Sequence, residues 1–237
     1  NAHVVWMSQI VSTGEYMIKY RKIKEDGQLD GSVKVLATAS TKFPSLDIDS
    51  NNNLHIAWQG TNIAYQIYYR KFDSSANPLT DQLQLTSSTT GHSQWPDLKV
   101  NANGEPIILW TYFNDSSLIF TRLSTDGNVV INTGIGTTSG FFNFREPQLV
   151  IDSNSFVHVA YDHLYDPNTG TQSHSISYKL VDQNGTVWSN FQNLNGGIHP
   201  NIAVDDSLTA HIVSQKFISG AGQQVTYARI PAEGTPV

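Results

Sequence analysis

The chain has 237 residues, no cysteine, and 20 acidic against 14 basic side chains, for a net charge of −6. With no Lys/Arg cluster it lacks the basic footprint of a nucleic-acid binder, and without thiols it can build neither a disulfide framework nor a thiolate metal site. Its longest clearly apolar run, Pro106–Phe113, is far below the ~20 residues a membrane helix needs.

The predicted elements, taken in chain order, are short runs of period-2 or continuous apolar character separated by turn residues, the pattern of strands. The first three are His3–Trp6, Ile18–Lys22 and Ser32–Leu36. Next come Pro44–Ile48, Leu54–Trp58, Ile67–Lys71 and Gln82–Thr86, then Pro96–Val100, Pro106–Trp110, Ile119–Leu123 and Val129–Asn132. Pro147–Ile151, Val157–Tyr161, Ile176–Leu180 and Trp188–Leu194 follow, and Pro200–Val204, Ala210–Val213 and Val225–Ile230 close the series. Helical periodicity is absent throughout. Proline at the head of a strand is tolerated there because no interior ladder donor is lost.

The series repeats. The prolines Pro44, Pro96, Pro147 and Pro200 stand 52, 51 and 53 residues apart. Each is followed four residues later by an aliphatic and then by Asp or Asn (Asp49, Asn101, Asp152, Asp205). A period near fifty in a strand-rich chain is the signature of propeller blades. The expectation is an all-β chain, a β-propeller of five blades with up to four antiparallel strands each. The repeats span about 1–40, 41–92, 93–143, 144–196 and 197–237 of a single domain. Five second and third strands against four first and fourth ones leave blade edges open. Either the ring closes face to face within one chain, or the open edges are satisfied in a larger ring or an oligomer.

The first and third turns of each repeat are short, with Asp26-Gly27, Asp126-Gly127 and Asn184-Gly185 supplying the positive φ a tight hairpin needs. The second and fourth connections vary in length, and function is expected on that side. Strand histidines His3, His55, His158 and His211 recur at one blade position, so symmetry spreads them apart and they read as structural, half-buried and bonded to a neighbouring loop or blade. The tyrosines Tyr20, Tyr69, Tyr178 and Tyr227 recur likewise, as do Trp6, Trp58, Trp110 and Tyr161, and their expected role is packing between blades. Asp47–Asn53 is Asp/Asn-rich like a calcium loop, yet lacks the turn glycine and distal Glu. No cofactor is expected, with calcium there as the alternative.

The pattern Pro-x-Leu-x-Ile-Asp, Leu-His-Ile-Ala-Trp, Gln-Ile-Tyr-Tyr-Arg-Lys (44–71) resembles the BNR-type repeats of sialidase-like β-propeller proteins, over almost the whole chain. The resemblance implies a propeller fold and a secreted or surface-attached protein. The family's Asp-box turns are not intact, and Arg145-Glu146-Pro147 stands where an Arg-Ile-Pro would be.

Where repetition explains the shared residues, function is sought in those that differ. Trp95, Asp97, Glu146, His199 and Asn201 flank the repeat prolines, and Arg145, Asp162, His163 and His92 adjoin them on the loop side, where ordinary solvated loop residues are the plain alternative to a site. Glu146 with Asp97 could form a glycosidase carboxylate pair. His163 or His199 with Tyr165 could serve a lyase. The aromatics Trp95, Tyr112, Phe113, Phe141, Phe142, Phe144 and Tyr165 could stack on sugar rings or tuck under their own loop. Three functions follow from these residues. The leading expectation is a non-catalytic, lectin-like propeller that binds a glycan or another surface ligand. A carbohydrate-active hydrolase or lyase with Glu146, Asp97, His199 and His163 as catalytic candidates is the second, and an architectural surface module the third. The low charge content, 14%, and the Asn/Ser/Thr/Gly-rich composition suit an extracellular or cell-surface location. The start at Asn1, with a strand already under way, reads as a processed or excised chain.

Overall fold

The structure is a computed structural model that describes residues 1–38, 40–61, 64–114, 117–137, 144–165, 173–218 and 220–232. Among the described residues there are strands and turns and no helix, so none is long and apolar enough to cross a membrane. The first sheet holds β1 (Ala2–Gln9), β2 (Tyr16–Ile23) and β3 (Leu29–Ala37). The second holds β4 (Lys42–Ile48), β5 (Leu54–Thr61), β6 (Tyr65–Phe72) and the two-residue β7 (Leu83–Gln84). The third holds β8 (Ser93–Val100), β9 (Pro106–Tyr112), β10 (Ser117–Leu123) and β11 (Val129–Thr137). The fourth holds β12 (Phe144–Ile151), β13 (Val157–Tyr165), β14 (Ser173–Val181) and β15 (Val187–Gly196), and the fifth β16 (Ile198–Val204), β17 (Ala210–Ile218) and β18 (Gly222–Ile230).

Within each sheet the strands lie side by side in chain order, and the paired registers are antiparallel. This is the blade arrangement expected of the repeat, five sheets of three or four strands. The chain divides into two units, Asn1–Ile108 with Leu123–Asn128, and Leu109–Arg122 with Val129–Val237.

In the first unit, Ile18 and Tyr20 of sheet 1 pack with Leu54, Ile56, Trp58 and Phe72 of sheet 2 in one buried cluster. In the second, Ala160, Ile176 and Tyr178 of sheet 4 pack with Ile202, Ala210, Ile212, Ala228 and Ile230 of sheet 5. Alternate residues of a strand point to opposite faces. In the first unit sheet 2 therefore covers sheet 1 with one set of residues, while β8 lies against β4 and β5. That is why β5 is buried along nearly its whole length rather than in alternation.

The repeated histidine is bonded within its own sheet. The Tyr69 hydroxyl donates to His55 Nδ1 at 2.9 Å, and His55 Nε2 donates to Asp49 at 3.2 Å in the β4–β5 turn. Tyr178, His158 and Asp152 repeat the relay at 2.8 and 3.1 Å, and Tyr227, His211 and Asp205 at 2.7 and 3.0 Å. His3 Nδ1 bonds the Tyr20 hydroxyl at 2.7 Å. A half-buried histidine reaching a neighbouring loop or blade was the expectation. His55 and His158 are instead buried, because turn carboxylate and strand hydroxyl satisfy both ring nitrogens. Burial lowers their pKa against the opposing pull of the carboxylates. Burial alone would raise Asp49. Bonds from Asn53, His55 and Lys71 outweigh it and hold that carboxyl well below the usual range. Those donors, with the Asn51 amide, are what the carboxylate of the calcium-like stretch binds.

The prolines mark something other than a strand start. Pro44, Pro147 and Pro200 lie inside β4, β12 and β16, where the pairing register slips (between Lys42 and Ser45, Arg145 and Gln148, Ile198 and Asn201). The residue before each repeat proline has a left-handed backbone: Phe43 at φ 49°, Trp95 at 52°, Glu146 at 45° and His199 at 52°. β4, β12 and β16 are edge strands of their sheets, and edges and bulges are where a strand tolerates proline.

Candidate functional site

A left-handed backbone at a non-glycine residue costs on the order of 1–3 kcal/mol and gathers at functional sites. Of the four such positions that precede a repeat proline, Phe43 and Trp95 are aromatic, while Glu146 and His199 carry chemistry. Glu146 in sheet 4 and His199 in sheet 5 are equivalent residues of successive repeats, and the structure bonds them to each other, Nδ1 to Oε2. His199 is exposed and Glu146 half-buried.

A second imidazole–carboxylate pair stands beside the first. Register places Arg145 opposite Asp162, so the bulge carries Glu146 towards the same end of β13. The Asp162 carboxylate takes His174 Nδ1 at 2.9 and 3.1 Å through its two oxygens. The Asp162 side chain is 4% exposed and that of His174 36%. Burial pushes Asp162 up to about 6, against the bond and charge of His174 and the charge of Arg145, with the charge of Glu146 adding to the rise. In both pairs Nδ1 faces the carboxylate, which leaves Nε2 on the far side of the ring from it. The result is two carboxylate-held imidazoles on the edge of sheets 4 and 5, with a guanidinium next to them.

The expected candidates divide as follows. Glu146, His199, Asp162 and Arg145 come together. His163 does not join them, because it follows Asp162 in the strand and points to the other face, where Nδ1 meets Ser177 Oγ at 3.2 Å beside Tyr161. Asp162 and His163 were expected in a solvated loop. They lie in β13 and are buried, since the strand runs on to Tyr165. Asp97 belongs to the first unit, where it is nearly buried and accepts from Ser45 Oγ at 2.7 Å; that hydroxyl in turn takes the Leu98 amide. Trp95 and Tyr112 are strand residues, half-buried rather than loop-borne, and Phe113 and Asn201 are exposed. His92 Nδ1 accepts the Tyr65 amide at 3.1 Å. Phe141 and Phe142 lie outside the described residues, and Phe144 and Tyr165 are placed at the ends of β12 and β13. Among the described residues no three His, Asp or Glu side chains converge as a metal site.

His174 was missed. It was set in a variable connection, yet the alternation His174, Ile176, Tyr178 puts it on the same face as the buried residues of β14. That extension of the period-2 pattern was the available signal.

No protein-family model matches this sequence, and no curated protein does at a meaningful level. Solved structures do match in fold. An ulvan lyase, a polysaccharide lyase, superposes with a TM-score of 0.68 at 10% identity, over 96% of this chain and 63% of its own. This chain therefore spans less than two thirds of that enzyme. An α-L-arabinanase of Penicillium chrysogenum complexed with arabinobiose gives 0.62 at 12% identity, over 97% and 78%. An endo-arabinase of Bacteroides thetaiotaomicron gives 0.54 at 11%, over 94% and 92%. The fold is a β-propeller. Its structural neighbours are propeller proteins that act on carbohydrates, a coarser likeness than the sialidase-like one expected from the repeats.

Proposed function

We propose that this protein is a carbohydrate-active enzyme that cleaves a polysaccharide by proton transfer, with β-elimination as the reaction its site serves best. The observation that carries this reading is the pairing of two imidazoles, His174 and His199, with the carboxylates Asp162 and Glu146. A hydrolase of the usual kind needs two carboxyl groups facing the sugar. Here Asp162 is buried with both oxygens turned to His174, and Glu146 is engaged by His199. The groups open to a substrate are the imidazoles, which suit general acid–base work near neutral pH.

In β-elimination one imidazole takes the proton from the carbon next to a uronate carboxylate. The electron pair forms a carbon–carbon double bond, the bond to the glycosidic oxygen breaks, and the other imidazole protonates the departing oxygen. Asp162 and Glu146 hold the rings by Nδ1 and stabilise the imidazolium as it forms. Arg145 supplies positive charge for the sugar carboxylate. A ligand carbohydrate is supported by the fold neighbours, and a secreted or surface location by composition and by the sialidase-like repeats. The half-buried aromatics Trp95 and Tyr112 favour a second, lectin-like reading, in which the surface binds glycan without turnover.

The test is incubation with a panel of neutral and uronate-containing polysaccharides, followed both for reducing ends and for the ultraviolet absorbance of unsaturated products. Unsaturated ends, lost in Glu146→Gln, are the expected result. Reducing ends without unsaturation would make it a hydrolase, and binding without either product would leave the lectin-like reading.

A further inference from the structure

The start of β15 carries a residue that the repeat does not. Three residues past the turn glycine stand Asp30 in sheet 1 and Val130 in sheet 3, but Trp188 in sheet 4. Its indole is 65% exposed, and the chain's other tryptophans are buried or half-buried. β15 is the outermost strand of its sheet, and register pairs Leu180 with Ser189 but Val181 with Val187, so Trp188 is the extra residue of a β-bulge. A bulge on a sheet edge re-aims a side chain. The ring is also held in place. Its Nε1 donates to Asp182 Oδ2 at 3.3 Å, and it meets Phe156 at 88° with 5.6 Å between ring centroids. The other Asp182 oxygen takes the amides of Asn184 and Thr186 at 2.8 and 2.9 Å. Gly185, at φ 82°, sits so close to β11 that a Cβ there would meet Thr133 at 2.5 Å. The turn is thereby fixed, and the indole with it.

We propose that Trp188 is a carbohydrate-binding platform separate from the cleavage site, on which one pyranose ring of a polysaccharide stacks. The inference rests on the carbohydrate reading of the protein and not on its cleavage chemistry. Size and rim decide the occupant. One aromatic ring system offers roughly 150–250 Å², far below the ~1,000 Å² that a stable protein interface needs. It matches the C–H face of a single sugar. Asn184 and Thr186 are exposed in the same turn, and their amide and hydroxyl groups are of the kind that pair with sugar hydroxyls. A ring already held in place loses little freedom on binding. His174 lies at the start of β14, whereas Trp188 adjoins Val187, the partner of the last β14 residue, Val181. That length of strand sets the platform roughly 20 Å from His174. A long polymer can thus be held at one place and cut at another, and engagement at both strengthens its binding.

The test is retardation in native gels holding arabinan, xylan or polygalacturonate, run in a His174→Gln background so that the polymer stays whole. Trp188→Ala and Trp188→Phe are each compared with that background, and their folding is checked by thermal melt. The expected result is retardation by at least one polymer, with affinity about tenfold lower in Trp188→Ala. Trp188→Phe should retain most of the affinity, because it keeps an aromatic face although it loses the bond to Asp182. Equal loss in both variants would assign the effect to the turn rather than to stacking, and overturns the inference. So does unchanged retardation in Trp188→Ala, or no retardation by any of the three polymers. Failure of the cleavage reading shows separately, as absence of product from the wild type, and leaves the gel result to decide on the platform.

Discussion

Asp162 and the relay histidines titrate in opposite senses, which gives the residue-scale account a pH signature. Asp162 is raised from 3.8 to about 6, so the native state holds that proton more tightly than the unfolded chain. Its contribution is full below about pH 4 and is lost as the pH climbs through about 6, a loss of roughly 2–3 kcal/mol. Asp162→Asn should remove that slope, read from chemical denaturation midpoints at several pH values; an unchanged profile would mean the carboxyl is solvated. His55 and His158 are lowered from 6.5, so what they contribute is present above that value and lost as the pH falls below it. His158→Gln deprives the Tyr178 hydroxyl and one Asp152 oxygen of their shared partner. It should cost about 1–3 kcal/mol, make the fold less sensitive to acid, and leave any cleavage activity in place. Loss of activity with stability retained would shift the relay from structure to function.

At the scale of the elements, packing and close approach set the expectations. Trp58 is fully buried between sheets 1 and 2, and Trp58→Ala should cost about 3–5 kcal/mol. A loss under about 1 kcal/mol would contradict the sheet-on-sheet packing. Gly197, two residues before His199, has no room for a side chain: a Cβ would meet the Gln215 carbonyl oxygen at 2.9 Å. Gly197→Ala should therefore push the start of β16 off β17, cost about 1–3 kcal/mol, and lower activity by displacing His199. Full activity in that variant would separate His199 from the site. The strands themselves were legible in the sequence, because their period-2 alternation is the physical consequence of lying between sheets. What escaped was the polar end of β13 and β14. Asp162 and His163 break the apolar alternation, and their hydrogen bonds to His174 and Ser177 of the neighbouring strand make their burial tolerable. The bulges escaped for another reason. A proline alone does not tell whether the chain starts a strand or slips register inside one, and the left-handed backbone of Glu146 and His199 has no sequence mark.

For the whole molecule, a fifty-residue period places unlike residues of successive repeats side by side, which is how Glu146 and His199 meet. The five sheets, their antiparallel order and the propeller fold followed from that period. The activity did not, because symmetry repeats the packing residues and leaves the site to the few that differ. Elimination by two carboxylate-held imidazoles is the central claim. Its most direct measurement is the rate of unsaturated-end formation from uronate polysaccharides by the wild type and by His174→Gln at equal folded concentration. The account predicts a fall of about 10²–10⁴-fold, the usual worth of a positioned acid or base. Unsaturated ends appearing at the wild-type rate in His174→Gln would contradict it.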